Sequence, residues 1–127
     1  MFKDDLFYIK EHQWLKVETN LGIVGITDFA QSQLGDITWV ELPAEGDVLS
    51  KGDRFGSVES IKSINDVFCP VDLKVLEINE NLMDNPNLVN DDPYGAGWFI
   101  KVEIINAEQV ATLLNAGQYQ KYIESLE

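Results

Sequence analysis

Phe55-Gly56-Ser57-Val58-Glu59-Ser60-Ile61, running through Lys62-Ser63-Ile64-Asn65-Asp66 into an alternating stretch from Val67 to Val75, decides the fold. Val67, Cys69, Val71, Leu73 and Val75 fall on one face, with Phe68, Asp72 and Lys74 on the other, as the period of a half-buried strand requires. Pro70 interrupts the donor pattern because it has no N–H. Two strand-like runs joined by a short polar segment predict a β-hairpin with Lys62 at or beside its tip.

The flanking sequence reads the same way. Leu15 and Val17 alternate with Lys16 and Glu18, and Asn20 through Gly22 turn into Ile23-Val24-Gly25-Ile26. A short helix is expected next, capped by Asp28 with Gln31 three residues on, closed by Gly35 and burying Ala30 and Leu34. Thr38 to Leu42 alternates again and stops at Pro43, and two glycine turns, Gly46-Asp47 and Gly52-Asp53, bracket Val48-Leu49. Asn79 to Pro93 predicts a loop with one helical turn around Leu82-Met83. Trp98, Ile100, Val102 and Ile104 then share the face of another strand. This density of turns between short alternating runs predicts a small all-β sandwich or barrel.

The C-terminus changes period from two to about 3.6. Asn106 with Gln109 resembles a capping box, and Val110, Leu113 and Leu114 share a helical face that Asn115-Ala116-Gly117 should end. A second helix places Tyr119, Tyr122, Ile123 and Leu126 on one stripe, the pattern of packing against a sheet.

The chain of 127 residues is long enough for one domain, expected to span 1–127, and its 45% hydrophobic content suits one core. No apolar run approaches a membrane-spanning length, so no membrane association is expected. Met1 to Leu6 lacks a charged leader followed by an apolar stretch, and the single cysteine excludes an internal disulfide framework. Both point to the cytoplasm. A net charge of −13, with no Lys/Arg cluster, argues against nucleic-acid partners. It favours solubility, or steering onto partners with basic surfaces.

Catalytic chemistry finds little support. His12 is the only histidine and, beside Trp14, reads as structural. Cys69 lies on the apolar strand face and reads as packed rather than reactive. No nucleophile motif or metal spacing is present, and the carboxylates form no calcium-loop pattern. No catalytic and no metal-ligating residue is therefore expected. Lys62 stands apart. A modifying ligase needs an amine projecting from a tight, exposed hairpin, and Ser60 and Ser63 beside it are small and polar. Biotin-carrying domains resemble this arrangement with methionines flanking the lysine, so Ile61 and Ser63 point to lipoate instead.

The chain resembles the H-protein family of the glycine cleavage system. The resemblance lies in Glu11-His12-Gln13-Trp14, Val24-Gly25-Ile26-Thr27-Asp28-Phe29-Ala30, Leu34-Gly35-Asp36-Ile37 and Val40-Glu41-Leu42-Pro43. It continues through Gly46-Asp47, Phe55 to Ser63, Leu88-Val89-Asn90, Asp92-Pro93-Tyr94-Gly95 and Gly97-Trp98, in family order from about Phe7 to Tyr122. It implies a mainly β fold, a flattened β-barrel-sandwich hybrid of lipoyl-domain type with short C-terminal helices. It also implies lipoate joined covalently to Lys62, with Glu59, Ser60, Ser63, Asp66, Glu11, His12 and Gln13 recognising the arm or lining its pocket.

The implied role is a carrier, monomeric when free, with no catalysis of its own. Its partners would be a pyridoxal-phosphate glycine decarboxylase, an aminomethyltransferase, dihydrolipoyl dehydrogenase, and a lipoate ligase or lipoyl transferase. Three positions depart from the family pattern. Gln13 replaces a Glu that helps bind the charged methylamine end of the loaded arm, which removes a charge-assisted hydrogen bond of roughly 1.5–3 kcal/mol. By strand alternation Glu11 should share the face of Gln13. Leu73 stands where a family turn has Gly, and Cys69 where a small non-thiol residue is usual. These departures leave one alternative within the same class, an H-like lipoyl carrier in sulfur oxidation serving a heterodisulfide-reductase-like complex. A third reading, from a different class, is an unmodified partner-binding module on the same scaffold.

Overall fold

A computed structural model describes residues 2–126. The hairpin is present: β6 (Arg54–Ser60) runs antiparallel to β7 (Ile64–Phe68), and only Ile61, Lys62 and Ser63 join them. β4 (Ile37–Glu41) pairs with the other edge of β6 to complete a three-stranded sheet. The second sheet contains β1 (Phe7–Tyr8), β2 (Gln13–Glu18), β3 (Leu21–Ile26), β5 (Val48–Leu49), β8 (Leu73–Ile78) and β9 (Ile100–Ile104). Its six strands lie in the order β1-β2-β3-β9-β8-β5, and the two sheets do not close into a full barrel.

Val67, Cys69, Val71, Leu73 and Val75 are each at most 1% exposed, as the alternation requires. They do not form one strand. β7 ends at Phe68, the chain turns through Cys69 to Asp72, and β8 enters the other sheet. Pro70 sits in that switch, where no ladder donor is needed. One buried run thus contributes to both layers, and its side chains meet Leu15, Val24, Val40, Val58 and Val102 in a shared core. Leu73 occupies no positive-φ turn. It opens β8 opposite Leu49 and Ile104 and is fully buried, so a side chain there adds to the core.

A second cluster holds the C-terminus. Tyr8, Trp14, Tyr119 and Ile123 pack together, with the Tyr8 and Tyr119 rings stacked at 4.7 Å. α4 (Ala116–Ser125) starts with a full capping box between Asn115 and Gln118, so Asn115-Ala116-Gly117 opens this helix instead of closing the previous one. Of the expected stripe, Tyr119 and Ile123 are buried and Tyr122 half-buried, while Leu126 stays 51% exposed near the chain end. The segment before it is a 3-10 helix, Ala107–Thr112. Asn106 caps it, but Gln109 accepts the Asp72 N–H at 2.7 Å and makes no box.

Three local expectations shift similarly. Thr27, not Asp28, caps α1 (Asp28–Leu34), accepting the Ala30 N–H, and Asp28 instead accepts from the Gln31 side chain at 2.8 Å. Ala30 and Leu34 are half-buried against the core. The 79–93 segment contains two helical turns, α2 (Asn81–Asp84) and α3 (Leu88–Asp91), anchored by buried Leu82 and Val89. Among the described residues no helix is long and apolar enough to cross a membrane.

Candidate functional site

Ser60 fastens the hairpin tip. Its backbone N–H donates to the Ser63 carbonyl at 2.9 Å, and its hydroxyl accepts the N–H groups of Lys62 (3.1 Å) and Ser63 (3.2 Å). Asn65 adds a bond from its amide to the Ser63 hydroxyl at 2.9 Å. These bonds satisfy the turn's backbone locally and leave the Lys62 side chain exposed. Its stem passes over Gly35, where a Cβ would lie 3.6 Å from Lys62 Cε. Gly35 has φ +77°, a conformation glycine adopts without steric cost and which ends α1.

Asn90, whose role no local sequence signal indicates, anchors the elbow under that lysine. Its Nδ2 donates to the Gly35 carbonyl (2.8 Å) and the Gln31 side chain (2.9 Å), while its Oδ1 accepts the Ile37 N–H (2.9 Å). α3 thereby positions the junction of α1 with β4. Around the tip, Trp39, Ile61 and Ile64 remain 49%, 75% and 66% exposed, with half-buried Glu59 between Trp39 and Ile64 in the strand register.

Beside the hairpin lies a groove of about 710 Å³. Its walls are the strap Lys10–Gln13, the α1 residues Phe29, Ala30 and Leu34, and β7 from Ile64 to Phe68. Of the expected recognition residues, Glu11, His12, Gln13 and Asp66 line this groove, whereas Glu59, Ser60, Lys62 and Ser63 build the tip and do not line it.

Gln13 is only 2% exposed, and its amide is used at both ends: Nε2 donates to the Glu11 carbonyl (2.8 Å) and Oε1 accepts the Phe68 N–H (3.0 Å). Strand alternation does not relate it to Glu11. β2 begins only at Gln13, and His12 before it turns the chain at φ 76°, which leaves Glu11 exposed and Gln13 buried.

His12 Nδ1 lies 2.8 Å from the Tyr119 hydroxyl, which is 2.8 Å from Thr27 Oγ1. The network joins the strap, α4 and the cap of α1. Burial lowers the His12 pKa, with Glu11 opposing, so the imidazole is neutral at pH 7 and serves as a fixture. Asp66 accepts Arg54 Nε–H at 2.8 Å, and Arg54 Nη2 donates to Glu41 at 2.8 Å. The guanidinium holds the Glu41 carboxyl below the usual carboxylate range. Burial, with Asp53 and Asp72 nearby, pushes the Cys69 thiol up to about 12, which removes thiolate at neutral pH.

The site is an exposed lysine on a fastened hairpin tip, set beside a partly apolar groove, which is an arrangement suited to carrying a covalently attached group. A family model described as Glycine cleavage H-protein matches residues 6–126. A glycine cleavage system H protein of Carboxydothermus hydrogenoformans is 54% identical over 120 residues, 94% of this chain and 92% of that protein. One from Symbiobacterium thermophilum is 50% identical over 118 residues, 93% and 92% of the two chains. The crystal structure of a glycine cleavage system H protein from Mycobacterium marinum superposes with a TM-score of 0.90 at 32% identity, covering 97% of this chain and 99% of that one. The chain belongs to the glycine cleavage H-protein family, and its role is that of a lipoyl carrier in glycine cleavage. The named relatives support glycine cleavage over the sulfur-oxidation alternative.

Proposed function

We propose that Lys62 Nζ bears the lipoyl group as an amide, and that the groove beside it shelters the loaded arm. The observation that carries this reading is the position of Lys62: it projects from a tip whose backbone Ser60 already satisfies, next to an opening large enough for an acyl chain. When bound, lipoate supplies a redox-active disulfide that accepts the aminomethyl unit left when glycine loses its carboxyl group. The protein's own residues hold and shield. Ser60 holds the Lys62 backbone at the tip, and Asn90 fixes the elbow behind it. Phe29, Leu34 and Ile64 exclude water from the arm, while Glu11 and Asp66 offer carboxylates to its amine.

In this reading the chain is a single-domain cytoplasmic carrier without catalysis of its own. It serves a pyridoxal-phosphate decarboxylase, an aminomethyltransferase and dihydrolipoyl dehydrogenase, after a ligase or transferase has attached the arm. The net charge of −13 favours rapid encounter with basic docking surfaces over tight binding. The test is exchange of labelled bicarbonate into the glycine carboxyl by a competent decarboxylase. Exchange should depend on the lipoylated chain and be absent with the unmodified one; equal exchange with both would contradict the reading.

A further inference from the structure

Asp66 faces two ways. It lines the groove, yet its Oδ1 already accepts the Nε–H of Arg54 at 2.8 Å. Arg54 is the chain's only arginine and does not itself line the groove. Three strands set its position: Glu41 of β4, Ser57 of β6 and Asp66 of β7 are register partners in one row. Arg54 lies three residues before Ser57 and bridges both acids, with Glu41 also accepting the Ser57 hydroxyl at 3.3 Å. The side chains of Arg54, Glu41 and Asp66 are 42%, 52% and 50% exposed, so water and salt exchange with the bridge readily. Lys10, which does line the groove, lies over the Tyr122 ring at 5.3 Å.

The groove presents two carboxylates, Glu11 and Asp66, and among the described residues only Asp66 of the two is in an ion pair. Glycine stripped of its carboxyl group leaves an amine, and a protonated amine seeks a carboxylate. We infer that Arg54 tunes the hold on this cargo by competing with its cationic amine for Asp66. The inference rests on the carrier reading above. A carrier must release its load to the next enzyme, and a resident guanidinium weakens the grip without removing the carboxylate that guides the amine. Replacing Arg54 frees Asp66 and tightens the groove on a cation.

Titrating the 15N-labelled, unmodified full-length protein with methylammonium chloride, against matched potassium chloride, reads this competition through the backbone amide shifts of residues 65–68. Arg54→Gln should tighten the localised binding about two- to fivefold, the range an exposed ion pair allows. Arg54→Lys should stay near wild type, and Asp66→Asn should abolish the difference that Arg54→Gln makes. Equal affinity in wild type and Arg54→Gln, an enhancement that survives Asp66→Asn, or no localised shift in any version would each overturn the inference. Failure of the carrier reading itself appears elsewhere, as absence of a lipoyl mass on Lys62, which this titration does not involve.

Discussion

Gln13 and Phe68 are joined by a hydrogen bond of 3.0 Å from the Phe68 backbone N–H to Gln13 Oε1, while the same amide donates to the Glu11 carbonyl. One buried side chain thus fastens the strap to the end of β7, and it uses a donor and an acceptor to do so. The neutral amide at this position holds the groove wall in place.

A carboxylate at position 13 could still accept from Phe68 but would bring no proton for the Glu11 carbonyl. Gln13→Glu is therefore expected to leave a buried group unpaired, at a cost of roughly 1–3 kcal/mol, or to keep its carboxyl protonated. Its folded pKa would lie above the unfolded value of about 4.3. The sign follows: the variant matches wild type best below about pH 4, and loses stability as pH rises through the raised value. Urea unfolding at pH 4 and pH 8 checks this. Equal stability of the two proteins at pH 8 would contradict the fastening role.

His12 should make the fold sensitive to mild acid. Its folded pKa is depressed by burial, so its contribution is present above the unfolded value of about 6.5 and is lost as pH falls through the folded value. Asn tolerates the positive φ of this position but does not titrate. Between pH 7.5 and 5.5, denaturant stability should fall more steeply for wild type than for His12→Asn. Parallel slopes would remove His12 as the cause.

Cys69 is expected to be inert in the native protein. At 1% exposure, with its thiol pushed up to about 12, it offers neither access nor thiolate. A thiol reagent should label it slowly when folded and rapidly in denaturant. Cys69→Ser should destabilise the fold by about 1–3 kcal/mol through a buried hydroxyl, yet leave modification of Lys62 intact. Rapid native labelling, or a well-folded Cys69→Ser that cannot carry its load, would give the thiol a direct role.

The hairpin and the exposure of Lys62 were legible because both follow from local signals: period-two alternation and a short polar turn. The same alternation identified Val67 to Val75 as buried. It could not reveal that the run changes sheets after Phe68, since sheet membership is set by which strands supply partners across the core. Gly35 was readable as a helix stop, but the cap moved to Thr27 because its hydroxyl also meets Tyr119, 92 positions away. Asn90 was invisible as a fastener for the same reason: its partners Ile37, Gln31 and Gly35 lie 53 to 59 positions distant. The bridge of Arg54 to Glu41 and Asp66 likewise needed the cross-strand register, which no single stretch of sequence contains.

Carriage depends on one atom, Lys62 Nζ. Intact mass spectrometry of protein produced with lipoate and a competent ligase, followed by peptide mapping, tests it most directly. One lipoyl addition on the peptide containing Lys62, absent from Lys62→Arg, is the predicted result. An adduct that persists in Lys62→Arg, or that maps to Lys51 or Lys74, would contradict the account.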